Sequence, residues 1–279
     1  MTRNEAVHSA RERLVQAGID SAVFDAAELC CYALGITKAE LIADGRQDVP
    51  FPAKEALLAL TNKRAAGYPL QYLLGEWEFY GRTFAVGEGV LIPRQDTETL
   101  CSQVISFVRD KEAVVLDLCS GSGCIAVTVA LECQNSRVYA VEKSEQAYPY
   151  LKRNIVQNHA SVKAFLRDAL DICTLELIPD CDVIVSNPPY LTDADMDMLQ
   201  REVSYEPADA LYGGEDGLAF YRELTALWKR KLKPGGRLFY ELGAGQEQAV
   251  SEILQENGLK SVCETPDLCG IIRVISAGI

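Results

Sequence analysis

The sequence predicts a doubly wound α/β sheet of seven strands, preceded by a small helical bundle and a β-hairpin. Three observations carry that expectation. From about residue 113 onward, apolar runs of strand length alternate with amphipathic stretches of helix length, the pattern of a largely parallel sheet covered on both faces. The first such run, AVVLDL, enters the turn Cys119-Ser120-Gly121-Ser122-Gly123, which opens directly into the helical stretch CIAVTVALE. Residues 1–72, in contrast, carry apolar residues at helix spacing and no strand pattern.

Taken in order, the front segment has Phe24, Ala27, Cys31 and Leu34 at helix spacing, and Thr37 followed by Glu40 forms a capping-box pattern for a further short helix. Pro52 stands where a first helical turn tolerates it, ahead of AKEALLALTNKRAAG, which stops at Gly67. No catalytic constellation lies here, so the segment reads as a packing or partner-binding unit. Trp77, Phe79, Phe84 and Val86 flank a Tyr80-Gly81-Arg82-Thr83 turn and predict a hairpin. After GEGVLIPR, strands are expected near 113–118, 136–142, 161–166, 181–186, 236–241, 259–264 and 271–276. Helices are expected near 95–109, 122–133, 144–158, 217–232 and 246–257. The chain thus divides into a helical domain over 1–72, a hairpin linker over 73–93 and a catalytic domain over 94–279.

Composition narrows the function classes. The 279 residues are 48% apolar and 24% charged, enough for about two globular domains. Forty acidic against 27 basic side chains leave a net charge of −13, which argues against a phosphate backbone as the main ligand. Only His8 and His159 are present and neither has zinc-ligand spacing, so neither a metal nor histidine chemistry is expected. The ten cysteines include no CxxC pair and read as reduced, mostly buried residues. No apolar run approaches the ~18 residues of a membrane span, and MTRNEAVHSARERLV lacks a signal core, so a cytoplasmic protein is expected.

The glycine turn reads as a nucleoside-cofactor site. Its glycines permit a sharp bend and close approach of a ligand, and the following helix offers free N–H groups. Glu142, about 20 residues on at the end of the next strand, is placed to accept hydrogen bonds from ribose hydroxyls. Gly121-x-Gly123-x-x-Ala126 also fits a nicotinamide dinucleotide fingerprint. Asp117 favours S-adenosylmethionine instead, because a carboxylate suits a cationic methionine end and repels a pyrophosphate.

The fourth strand, CDVIVS, ends in Asn187-Pro188-Pro189-Tyr190. Asn-Pro can be plain turn punctuation, but here it falls at the carboxyl edge of the sheet, where open α/β folds bind ligands. The Asn187 side-chain oxygen and the Pro188 carbonyl can each accept one N–H of a planar amide or exocyclic amine. Two such acceptors localise electron density on that nitrogen and aim it for methyl transfer, with Tyr190 placed to stack on the flat group.

These segments together resemble the glutamine-N5 methyltransferases that modify class 1 peptide chain release factors. The resemblance spans nearly the whole chain. It rests on Gly67-Tyr68-Pro69-Leu70-Gln71-Tyr72-Leu73-Leu74-Gly75-Glu76, Leu91-Ile92-Pro93-Arg94 with Thr97-Glu98, the 117–123 loop, Asn187-Pro188-Pro189-Tyr190, and Glu206-Pro207 through Gly213-Gly214-Glu215-Asp216-Gly217-Leu218. It implies a Rossmann-like class I methyltransferase fold, S-adenosylmethionine as cofactor with S-adenosylhomocysteine as product, and a Gly-Gly-Gln loop of the release factor as substrate. By position, Asn187, Pro188 and Tyr190 would be catalytic. Asp117, Cys119, Ser120, Gly121, Ser122, Gly123, Glu142, Asp168 and Asn187 would hold the cofactor, with Asp168 either at the adenine amino group or capping the next turn. Asn187, Pro188, Pro189, Tyr190, Arg94 and Glu98 would face the substrate. The Asn-Pro-Pro-Tyr turn is shared with nucleic-acid and ribosomal-protein methyltransferases, which stand as alternatives beside a non-catalytic binding factor. Two departures stand out: Cys119 where many relatives have glycine, and Ile272 in the tail Gly270-Ile271-Ile272-Arg273.

Overall fold

The computed structural model describes all 279 residues, which form two compact units: Met1–Gly75 with Gln200–Tyr205, and Glu76–Leu199 with Glu206–Ile279. The first holds α1 (Arg3–Gln16), α2 (Ala22–Leu34), α3 (Lys38–Ala43), α4 (Phe51–Ala65) and α5 (Leu70–Leu74). At Thr37 the expected capping box is present: the Thr37 hydroxyl accepts the Glu40 N–H at 3.2 Å, and the Glu40 carboxylate accepts the Thr37 N–H at 2.8 Å. The same reciprocal pair, Thr2 with Glu5, opens α1. Ala10, Leu14, Ala26, Leu29 and Leu57 are buried where α1, α2 and α4 meet. Among them lies a charge: Arg64, 1% exposed, donates through Nε to Asp25 and through Nη2 to Glu202. That second partner comes from the 200–205 segment, which Tyr205 also fastens by donating its hydroxyl to the Ala66 carbonyl at 3.3 Å.

The second unit begins with β1 (Glu76–Phe79) and β2 (Arg82–Ala85). Their turn is only Tyr80-Gly81, both at positive φ (52° and 69°), with Phe79 paired to Arg82. Arg82 and Thr83, expected in the turn, belong to β2. A two-residue turn of this hand matches the twist of the paired strands, and a longer one is not needed. The hairpin is part of this unit's core: Phe79 and Phe84 are buried in it. Asn154 clamps it by accepting the Ala85 N–H at 2.6 Å and donating to the Ala85 carbonyl at 3.0 Å.

The sheet follows through α6 (Asp96–Val108), β3 (Val114–Leu118), α7 (Cys124–Glu132), β4 (Arg137–Glu142), α8 (Tyr148–Gln157), β5 (Val162–Leu166), α9 (Ile172–Leu175), β6 (Cys181–Ser186), α10 (Asp193–Asp197), α11 (Ala219–Trp228), β7 (Leu232–Glu241), α12 (Glu247–Glu256), β8 (Lys260–Pro266) and β9 (Ile272–Gly278). All seven expected strands are present, in the order β5-β4-β3-β6-β7-β9-β8. β3 to β7 run parallel, and β9 lies antiparallel between β7 and β8. Side chains alternate across the sheet as the pleat requires. Val115, Val183 and Val185 join α6, α7 and the hairpin on one face, while Leu116, Leu118 and Ile184 join Tyr221, Trp228 and Leu254 on the other. The strand order reverses between β3 and β6, so the chain leaves these neighbours in opposite directions. A crevice opens at their carboxyl ends.

Candidate active site

At the end of β3 the backbone turns through Cys119 (φ 59°), Gly121 (φ 54°) and Gly123 (φ 81°) before α7 begins. Cys119 therefore holds a left-handed conformation that favours glycine, at a cost of about 1 kcal/mol. Burial pushes its thiol up to about 12, so it packs as a small apolar residue. The loop is tied down by Ser120, whose N–H donates to the Val141 carbonyl at 3.1 Å and whose hydroxyl donates to the Asp117 carbonyl at 2.9 Å. A Cβ on Gly121 would meet nothing within 4 Å, which leaves the loop open to a ligand. No side chain caps the N-terminus of α7.

Glu142 closes β4, with one carboxylate oxygen accepting the Gly121 N–H and the other the Ser144 N–H, both at 2.7 Å. The carboxylate is thereby fixed beside the loop, and each oxygen keeps a lone pair for a further donor. Asp168, after β5, accepts the Leu170 N–H at 2.9 Å through Oδ1 and also lines the cleft. Both readings of that residue are compatible with one carboxylate, because Oδ2 is not used by the turn. Asp117 is fully buried and neither of its oxygens has a hydrogen-bond partner. Burial pushes its carboxyl up to about 8.

The Asn187-Pro188-Pro189-Tyr190 turn leaves the adjacent strand β6. Its shape depends on the 206–217 loop laid against it: the Leu191 N–H donates to the Leu211 carbonyl at 2.8 Å, and the Gly213 N–H donates to the Leu191 carbonyl at 2.8 Å. Glycine is required in that loop, since a Cβ on Gly213 would lie 2.7 Å from the Pro189 carbonyl oxygen. Glu206, 6% exposed, accepts the Ile92 N–H at 3.0 Å and pairs with Arg94, joining the two segments that form the lip of the site. Asn187 donates its Nδ2 to the Thr97 hydroxyl at 3.4 Å, which leaves Oδ1 as the free end of its carboxamide.

A cleft of about 930 Å³ brings most of these groups together: Cys119, Ser120, Gly121, Ser122, Glu142, Asp168, Asn187, Pro189 and Arg94 are all on its wall. Asp117, Gly123, Pro188 and Tyr190 do not line it, although Pro188 lies between Asn187 and Pro189, which both do. The Tyr190 ring packs on the core, and its burial pushes the hydroxyl up to about 12, so it braces the turn from the protein side. Glu98 is turned away, accepting the Tyr80 N–H of the hairpin at 2.7 Å. A carboxylate facing an open N–H at a tight turn satisfies it locally, and that use takes Glu98 off the substrate wall. Thr97 on the wall and Glu206 at its lip belong to segments that carried the resemblance, but sequence reading alone assigns neither a role. Their contacts join segments 90 or more residues apart, which no local pattern records.

The family model described as PrmC N-terminal domain matches residues 5–75, and that of the Methyltransferase small domain matches residues 97–217. A release factor glutamine methyltransferase of Thermodesulfovibrio yellowstonii is 35% identical over 255 residues, covering 90% of each chain. Another, of Geobacter sulfurreducens, is 38% identical over 274 residues, covering 96% of this chain and 94% of that one. The chain belongs to the release factor glutamine methyltransferase family. A solved methyltransferase of Pyrococcus furiosus, 21% identical with a TM-score of 0.50, covers 79% of this chain and 96% of its own and agrees in fold. Membership in the glutamine methyltransferase family removes the nicotinamide reading of the glycine turn, and the seven-stranded sheet has the Rossmann-like architecture expected of it.

Proposed function

We propose that the chain transfers a methyl group from S-adenosylmethionine to the side-chain amide nitrogen, N5, of the glutamine in the Gly-Gly-Gln motif of class 1 peptide chain release factors. The observation that carries this reading is Asn187: its Nδ2 is occupied by Thr97, so its free oxygen stands on the cleft wall as an acceptor. The fit to the cofactor rests on three features. Gly121 leaves open space above the loop, Glu142 keeps one lone pair on each fixed oxygen for a ribose, and Asp117 is a buried carboxyl at the end of β3, raised to about 8 in the free protein, whose ionised form a cationic ligand would favour.

Bound there, S-adenosylmethionine supplies a methyl group on a positively charged sulfur, ready for attack. The chain's own residues position the nucleophile. Asn187 Oδ1 accepts one N–H of the glutamine amide and the Pro188 carbonyl the other, holding the nitrogen in a defined plane. As that nitrogen gains positive charge both acceptors would bind it more tightly, which lowers the barrier without a titrating base; the methyl–sulfur bond breaks as the methyl–nitrogen bond forms, S-adenosylhomocysteine leaves, and the methylated nitrogen sheds its extra proton to solvent. Ser120, Gly121 and Ser122 would cradle the methionine part of the cofactor, Glu142 would hold its ribose and Asp168 its adenine amino group. Arg94, held by Glu206, stands at the mouth toward the substrate, and the helical unit docks the protein substrate.

Asn187→Ala tests the reading. Turnover on a Gly-Gly-Gln peptide is expected to fall about 100- to 1,000-fold, while S-adenosylmethionine affinity measured by calorimetry changes little. An equal loss in both would contradict the assigned role.

A further inference from the structure

An asparagine serves as an acceptor toward substrate only with its carboxamide one way round, and the two orientations have the same shape. Something must distinguish the oxygen from the nitrogen. The β6/β7 register pairs Ser186 with Tyr240, so the next residues, Asn187 and Glu241, stand side by side at the carboxyl ends of adjacent parallel strands. Glu241 is 2% exposed, and its Oε2 has no hydrogen-bond partner. Thr97, equally buried in the first turn of α6, has its hydroxyl 3.4 Å from Asn187 Nδ2, and both Thr97 and Asn187 act on Glu241 as hydrogen-bonding neighbours.

We propose that Glu241, together with Thr97, is a positioning residue that fixes the Asn187 carboxamide with its NH2 inward and its oxygen toward the cleft. The inference rests on the reading of Asn187 given above. A carboxylate only accepts, so the edge of Asn187 turned toward it must be the donor edge. Thr97 accepts from that same NH2 and can donate its own O–H to Glu241, so the three groups are consistent in one sense only. A buried carboxylate with an oxygen left unpartnered is costly to keep, and stabilising the fold does not account for it. Protonation reverses the logic, because a neutral carboxyl can donate to the asparagine oxygen and so admits the flipped orientation. Burial pushes Glu241 up to about 7, with Asp96 of α6 raising it further and Arg273 of β9, Thr97 and Asn187 opposing. The other ionisable groups facing it are Tyr190, Tyr221, Cys101 and Cys124, each neutral near pH 7.

The test uses the full chain with S-adenosylmethionine and a Gly-Gly-Gln peptide. In Glu241→Gln, kcat is expected to fall about tenfold or more at pH 8, with peptide KM and cofactor Kd within about twofold of the parent. The parent's loss of kcat as pH falls through about 7 is expected to vanish in this variant. Thr97→Ser is expected to recover most of the kcat that Thr97→Val loses, which carries the test should Glu241→Gln fail to fold. An unchanged kcat in Glu241→Gln with the same pH limb, or equal losses in both Thr97 variants, would overturn the proposal while leaving Asn187 its role. Full turnover by Asn187→Ala would overturn both.

Discussion

Asp117 is enclosed on all sides with neither carboxylate oxygen hydrogen-bonded, and its pKa rises to about 8 from the ordinary 3.8. A raised acid pKa in the folded state gives stability that is complete below about pH 4 and is lost as pH rises through about 8. Asp117→Asn is therefore expected to stabilise the ligand-free protein at pH 8 by on the order of a few kcal/mol, with a much smaller gain at pH 5. Urea unfolding at the two pH values checks this, and a gap that does not widen with pH would contradict it. At this scale the residues that the motifs named were largely legible. Glu142 and residues 119–122 meet on the cleft wall as strand ends and glycines implied, and Asn187 joins them from the neighbouring strand. Glu98 and Tyr190 were not, because sequence position places a residue near a site without saying which way its side chain turns. The Cys119 departure is absorbed by a strained backbone at one residue, with the loop otherwise intact.

Among the elements, the hairpin and the 200–205 segment show what long-range contacts add. The hairpin strands were readable from alternating aromatics, but their docking depends on Asn154, a single buried polar residue of α8 some 70 positions away. The short helices α9 and α10 carry too few residues to show a period and went unseen. The association of residues 200–205 with the helical unit had no local signature at all. It depends on Arg64, whose buried guanidinium needs both Asp25 and Glu202. Removing one partner of a buried ion pair leaves an uncompensated charge, so Asp25→Ala is expected to destabilise the helical unit by about 3 kcal/mol. Glu202, partly exposed at 41%, is expected to matter less when replaced by Ala. Denaturant unfolding of the two variants ranks them, and equal losses would contradict the burial argument.

For the molecule as a whole, two compact units are joined in sequence at Gly75–Glu76 and again on either side of residues 200–205. The second unit contains the complete cleft, whereas the first contributes no residue to it. The net charge of −13 favours a protein amide over a nucleic-acid base as the methyl acceptor, whereas the acceptor at Asn187 suits either. The most direct measurement is transfer of labelled methyl from S-adenosylmethionine to a purified class 1 release factor. It should be run beside the same factor carrying alanine in place of its Gly-Gly-Gln glutamine, and beside ribosomal RNA. Label is expected on the intact factor alone. Label on the alanine factor or on RNA, or none on the intact factor, would contradict the assignment of the glutamine amide as the methyl acceptor.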